Sequence, residues 1–289
     1  MELKSSELIL NPDGSVYHLN IKPSELAENI LFVGDQDRVE RISRHFDTIT
    51  SRNQKREFKS HTGLFKGKRF TVISTGIGPD NIDIVMNEID ALVNIDFHTR
   101  AIKEKLTSLN IVRIGTSGSL HSNIPVNSFL ASQYAIGMDN MLHSYQADLV
   151  CNADLEDAFI AHTKWNPNMG RPYAVSCSES LANKLRSDEV HEGITATAGG
   201  FYGAQGRVLR LPIQNTALNT QLESFTYKNQ RITNLEMETA AIYGLSKLLG
   251  HQALSMNAII ANRADGTFSE DPYAAVDKLI LYTLNKLSQ

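Results

Sequence analysis

Short apolar runs rich in β-branched residues occur at 30–33, 70–74, 111–114, 128–136, 173–176, 193–197 and 254–261, each bounded by Gly, Asn, Asp or Pro. Runs of this length and punctuation read as buried strands. Helical patterns separate them. In 80–94, Ile82, Val85, Ile89, Leu92 and Val93 recur at the spacing of one buried helix face, and 37–46 repeats this with Val39, Ile42 and Phe46. Two further helices are expected over 235–249 and 273–287, the second carrying Val276, Leu279, Ile280 and Leu287 on one side. Strands alternating with helices predict an α/β fold, three-layer α/β/α around a central mixed, mostly parallel sheet. The strands at 128–136 and 193–197, joined by less regular sequence, are the expected source of the mixing. No Pro/Gly/Ser-rich linker divides the chain, so residues 1–289 are expected to form one domain.

Composition narrows the function classes. Lys and Arg number 28 against 32 Asp and Glu, a formal charge of −4, which argues against a protein that coats nucleic acid or an anionic membrane. No apolar run approaches the roughly 18–20 residues of a membrane span, and the first residues lack the layout of a signal peptide. The two cysteines, Cys151 and Cys177, have no metal-ligand spacing, so neither a disulfide framework nor a structural zinc is expected. The cytoplasm is the expected setting.

In such folds ligands sit outside the carboxyl ends of strands. The run at 30–33 leads into Gly34-Asp35-Gln36-Asp37-Arg38. There glycine allows close backbone approach and a helix start favours an anion; the plainer reading is a turn with Asp37 as cap and Arg38 in solvent. The next strand end reads Arg113-Ile114-Gly115-Thr116-Ser117-Gly118. An arginine inside an apolar strand is costly unless paired, and its neighbours supply the amides and hydroxyls of an oxyanion nest. Ser117 lacks the residue spacing of a nucleophile elbow. The glycines of 76–81 and 63–69 match neither a complete dinucleotide fingerprint nor a P-loop.

Four glycines in 199–206 mark an irregular loop. Within it Gln205 and Arg207 offer an amide and a guanidinium to one planar ligand, suited to the alternating C=O and N–H edge of a pyrimidine dione, with Phe201 available to the ring face. Asn234 is a fair N-cap for a helix opening on Glu236-Met237-Glu238, or Glu238 accepts from a vicinal diol with Met237 against a sugar ring. Ile259 and Ile260 lead to Asn262-Arg263 at a further strand end.

These segments, in this order, resemble the type I nucleoside phosphorylase family, and within it the uridine phosphorylases, over nearly the whole chain from about Tyr17-His18-Leu19 to the last helix. The resemblance implies the phosphorylase/hydrolase-like fold and phosphorolysis of uridine to uracil and ribose 1-phosphate, with inorganic phosphate as co-substrate and no organic cofactor. It places phosphate on Gly34, Arg38, Arg113, Ile114, Gly115 and Thr116, with Arg56 contributed by a neighbouring subunit. Ribose falls to Glu236, Met237 and Glu238, with His18 reaching the 5′-hydroxyl across the subunit boundary. Uracil falls to Phe201, Gln205 and Arg207, with Ile259, Ile260 and Arg263 as the far wall. Arg38, Arg113, Gln205 and Arg207 would carry the chemistry. Cross-subunit donors imply a homodimer, or a hexamer built from dimers. Glu57 and Ile77 match positions that hold a monovalent cation between subunits in some relatives, where Asn81 here replaces a serine. Alternatives are a purine nucleoside phosphorylase or nucleosidase of the same fold, with Asp265 as acid, and a nucleoside-binding module without catalysis.

Overall fold

A computed structural model describes residues 2–289. In chain order the elements are β1 (Asn29–Val33), α1 (Gln36–Ser43), β2 (Thr48–Lys55), β3 (Phe58–Phe65), β4 (Lys68–Ser74) and α2 (Pro79–Asn94). A small ladder of β5 (Ile95–Asp96) and β6 (Ala101–Ile102) precedes β7 (Asn110–Ser119) and β8 (Phe129–Gly137). Then come α3 (Ala153–Thr163), β9 (Tyr173–Ser176), α4 (Glu179–Leu185), β10 (Val190–Thr197) and α5 (Leu218–Ser224). The last third adds β11 (Thr226–Tyr227), β12 (Gln230–Glu236), α6 (Thr239–Leu249), β13 (Gln252–Asn262), β14 (Thr267–Phe268) and α7 (Pro272–Ser288).

The sheet is mixed, as expected, and parallel through its centre. β1 pairs in parallel with β4 and β7, β13 with β7, and β10 with β8 and β12. Antiparallel pairing enters where β13 meets β8, where β12 meets β7, and in the β2–β3–β4 meander. Because β12 pairs with both β10 and β7, the strands β7, β13, β8, β10 and β12 close into a ring. That closure was not legible in the sequence, since β12 is half polar. Ring closure gathers the ends of β7, β10, β12 and β13 at one mouth.

Each expected strand run is found. The amphipathic stripes bury as read: Ile82, Val85, Ile89 and Leu92 of α2 and Val276, Leu279, Ile280 and Leu287 of α7 join one core running from Val16 to Leu287. The helix expected over 235–249 is corrected at its start. Leu235 and Glu236 pair in register with Ala196 and Thr197 as the end of β12, and α6 begins only at Thr239. Asn234 is therefore not an N-cap: it is a buried strand residue whose amide donates to the Ser117 hydroxyl at 3.0 Å. Both cysteines are free thiols, pushed up to about 11 chiefly by burial. Among the described residues no helix is long and apolar enough to cross a membrane.

Beyond the end of β8, Asp139 accepts from the Tyr173 hydroxyl at 2.8 Å and from the Met141 amide at 2.9 Å. Burial nevertheless pushes its carboxyl up to about 6. A folded-state pKa above the unfolded value means that folding favours the protonated acid. Stability from this group is therefore fully present below about pH 4 and is lost as pH rises through about 6. Asp139→Asn should raise stability at about pH 7.5 by up to about 3 kcal/mol and change it little at about pH 4. Urea midpoints of both proteins at the two pH values test this; an equal difference at both would contradict it.

Candidate active site

The mouth of the ring holds a cavity of about 290 Å³, lined by β1, β7, β12 and β13 ends and by the glycine-rich loop. On one side Gly34 and Asp35 follow β1. Asp35, not Asp37, caps α1 by accepting from the Asp37 amide at 2.9 Å. Arg38 then falls in the first turn of α1 and reaches the cavity rather than solvent, with its Nη1 donating to the Ile114 carbonyl at 3.2 Å. Among the described residues it has no carboxylate within ion-pair distance, and burial, followed by the nearby charge of Arg113, holds its pKa below the usual arginine value.

Arg113 is buried in β7. Its Nη2 donates to Glu238 Oε2 at 2.5 Å and lies 3.3 Å from Glu236 Oε2, and its Nη1 donates to Asn257 Oδ1 at 2.9 Å. Burial alone would lower its pKa, but Glu236 and Glu238 reverse that and keep it firmly cationic. The guanidinium occupies the space a side chain at position 115 would need, since a Cβ on Gly115 would stand 1.8 Å from Arg113 Nη1. Asn257 was missed in the sequence, although an amide inside the apolar run 254–261 is the kind of signal that marks a buried polar partner.

Glu236 and Glu238 face each other across the start of α6. Glu236 accepts from the Thr197 hydroxyl at 2.6 Å and from the Glu238 and Thr239 amides at 2.8 and 2.9 Å. Those are helix-start amides that no intrahelical carbonyl satisfies, so Glu236 closes the helix while balancing Arg113. Glu238 accepts from the Gly78 amide at 2.9 Å as well as from Arg113. Burial pushes its carboxyl up, and Arg113 opposes that shift. Met237 lies between the two acids and also lines the cavity.

The opposite side is the 199–207 loop, irregular as expected apart from one 3-10 turn at Gly203–Gln205. Gln205 is buried, and its Oε1 accepts from Arg207 Nη1 at 2.6 Å and from Arg263 Nη2 at 3.0 Å. With both lone pairs taken, the Gln205 amide presents its NH2 as donor. The Arg207 guanidinium lies 3.9 Å from the centre of the Phe201 ring and donates to the Phe201 carbonyl.

Several expected residues sit elsewhere. Ile114 and Gly115 are buried behind the cavity wall and contribute backbone only. Ile260 lines the cavity, whereas its neighbour Ile259 packs on the other side with Ile124 and Leu130, so the expected two-residue wall is one residue. Arg263 stands behind Gln205 instead of at the cavity surface. Leu235, Ser117, Ala261 and Phe268 line the cavity and were not anticipated as wall residues. Asp265 is exposed on the turn after β13 and does not line it.

His18 and Arg56 do not line it either. His18 pairs through Nδ1 with Glu88 at 2.7 Å, beside Tyr17, and Arg56 is exposed at the β2–β3 turn. Glu57 and Asn81 meet around Gly76, where a Cβ would stand 2.3 Å from the Asn81 amide nitrogen and 3.2 Å from Glu57 Cγ.

The profile of the phosphorylase superfamily matches residues 29–280. A uridine phosphorylase of Thermococcus kodakarensis is 28% identical over 273 residues, covering 92% of this chain and 84% of that protein. A DeoD-type purine nucleoside phosphorylase of Listeria welshimeri is 24% identical over 270 residues, covering 92% and 97%. Among solved structures, a Trypanosoma brucei nucleoside phosphorylase described as showing uridine phosphorylase activity superposes with a TM-score of 0.87 at 31% identity, covering 97% of this chain and 99% of that one. The profile takes in β1 through most of α7, and with it every strand end that lines the cavity, so the chain belongs to the phosphorylase superfamily.

Proposed function

We propose that this protein is a nucleoside phosphorylase acting on uridine, giving uracil and ribose 1-phosphate reversibly. The observation that carries the reading is one cavity with cationic groups at both ends and carboxylates between them. Arg38 and Arg113 flank Gly34 and Thr116 at one end, Gln205 and Arg207 stand at the other, and Glu236, Met237 and Glu238 lie between. Phosphate on Arg38, Arg113 and the 34 and 116 backbone is positioned to attack C1′. The C1′–N1 bond breaks, its electron pair leaves with the base, and solvent supplies the proton that neutralises uracil. Gln205 and Arg207 donate to the base oxygens as negative charge builds there. Glu238 accepts from the ribose diol, and Met237 packs on the sugar. No side-chain nucleophile is required.

His18 and Arg56 lie outside their own chain's cavity, and in this reading they complete the site of a second copy in a homodimer. A purine reading needs an acid near the base, and Asp265 is displaced from the cavity. Purified protein should deplete uridine, followed by ultraviolet absorbance, only when inorganic phosphate is present. Cleavage without phosphate, or cleavage of inosine in preference to uridine, would overturn the proposal.

A further inference from the structure

Two guanidinium groups, those of Arg207 and Arg263, converge on the single Oε1 of Gln205. Neither makes an ion pair among the described residues. Every acceptor they use is neutral: Gln205 Oε1, the Phe201 and Gln205 carbonyls, and Asn219 Oδ1. Burial lowers the pKa of both, Arg263 to about 10, and for Arg263 the next influence is the like charge of Arg207. Partly buried cations without a counterion are expensive, and proteins that keep them near a cavity use them.

The residue that holds this arrangement is Asn219, in the first turn of α5. Its Oδ1 accepts from Arg263 Nη1 at 2.9 Å and its Nδ2 donates to the Gly206 carbonyl at 3.3 Å. It thus ties Arg263 to the loop that carries Gln205 and Arg207. Gly206 has φ +71°, and a Cβ there would stand 2.7 Å from Asn219, so the contact is close. An aspartate at position 219 would offer Arg263 the same acceptor with a full charge, in a first turn that favours acids. The chain has the neutral amide instead.

We propose that Asn219 is a positioning residue that fixes Arg263 without neutralising it, so that the Arg207–Arg263 pair keeps an uncompensated positive charge for the departing base. The inference rests on the uridine reading above. Arg263 touches Gln205, and Gln205 touches the base, so the charge acts through one amide. No carboxylate is present to drain it before the glycosidic bond breaks.

The test compares Asn219→Asp and Asn219→Ala with the unaltered protein on uridine and on 5-fluorouridine, whose base is the better leaving group. Asn219→Asp should lower kcat on uridine by about 100-fold and on 5-fluorouridine by only about tenfold, with the KM for phosphate unchanged. Asn219→Ala leaves Arg263 bonded to Gln205 and should cost only a few-fold, equally on both. A merely structural Asn219 predicts equal impairment on the two nucleosides: aspartate keeps the acceptor for Arg263 but loses the donor to the Gly206 carbonyl, a change of loop geometry that does not depend on the leaving group. Asn219→Asp at least as active as Asn219→Ala, or equally impaired on both nucleosides, overturns the inference alone. Unaltered protein that leaves uridine intact with phosphate present overturns the reading beneath it.

Discussion

Replacing Arg113 by alanine is expected to reduce phosphate-dependent turnover by at least about 10³-fold and to destabilise the fold by about 3–5 kcal/mol. The two effects share one origin. Among the described residues Arg113 is the only cation within ion-pair distance of Glu236 and Glu238, and its removal leaves two buried carboxylates without a cationic partner. Glu236 retains the Thr197 hydroxyl and two amides, so Glu238 bears most of the loss. Without Arg113 only the Gly78 amide opposes the upward push of burial and of Glu236 on Glu238. The variant should therefore recover stability as pH falls and that carboxyl protonates. Initial rates across phosphate concentrations, with urea midpoints at about pH 5 and about pH 7.5, measure both effects. Saturation by phosphate at the original KM in Arg113→Ala would remove this arginine from the phosphate site.

The second large effect comes from a position with no side chain. Gly115→Ala should inactivate nearly as strongly as Arg113→Ala although it deletes no functional group. A methyl at 115 would stand 1.8 Å from Arg113 Nη1, 2.5 Å from Cζ and 2.8 Å from Asn257 Oδ1. No rotamer adjustment of a few tenths of an ångström relieves the first of these. The guanidinium must leave its two acids and its amide, and overpacking in a filled interior adds its own cost of about 1–3 kcal/mol. Because both changes act through one guanidinium, they should not add: Gly115→Ala in the Arg113→Ala background should cost little further activity. Additive losses would mean that Gly115 matters for a different reason, such as backbone approach to a ligand.

Much of the fold was legible because buried strands are continuous apolar runs, and all seven such runs were read in place, six with a parallel partner and β9 with only an antiparallel one. What escaped were strands whose side chains carry no such signal. β2 alternates exposed and half-buried positions at the sheet edge, and β12 opens on the half-buried Gln230 and Arg231 and then carries Thr233 and Asn234, whose side chains bond inside the ring. Missing β12 also shifted the start of α6 by four residues and made Asn234 look like a cap. In the site, residues at strand ends were found from their chemistry, as with Arg113 in an apolar strand. Ile259 and Ile260 were not separable without the register, since neighbours on a strand face opposite ways. Asn219 was invisible: its place beside Arg263 exists only because α5 returns to the loop at Gly206, thirteen residues earlier.

Glu236 joins two jobs that most proteins keep apart. One carboxylate both completes the first turn of α6 and balances the cation at the floor of the cavity. Any attempt to engineer greater thermal tolerance by redesigning that helix start would also rewrite the charge presented at the cavity floor. Directed evolution for robustness should therefore leave 236–239 untouched and gather its gains in remote places such as α7 or the β2–β3 edge. Selection for altered substrates at the cavity floor, conversely, should repeatedly yield variants that melt early.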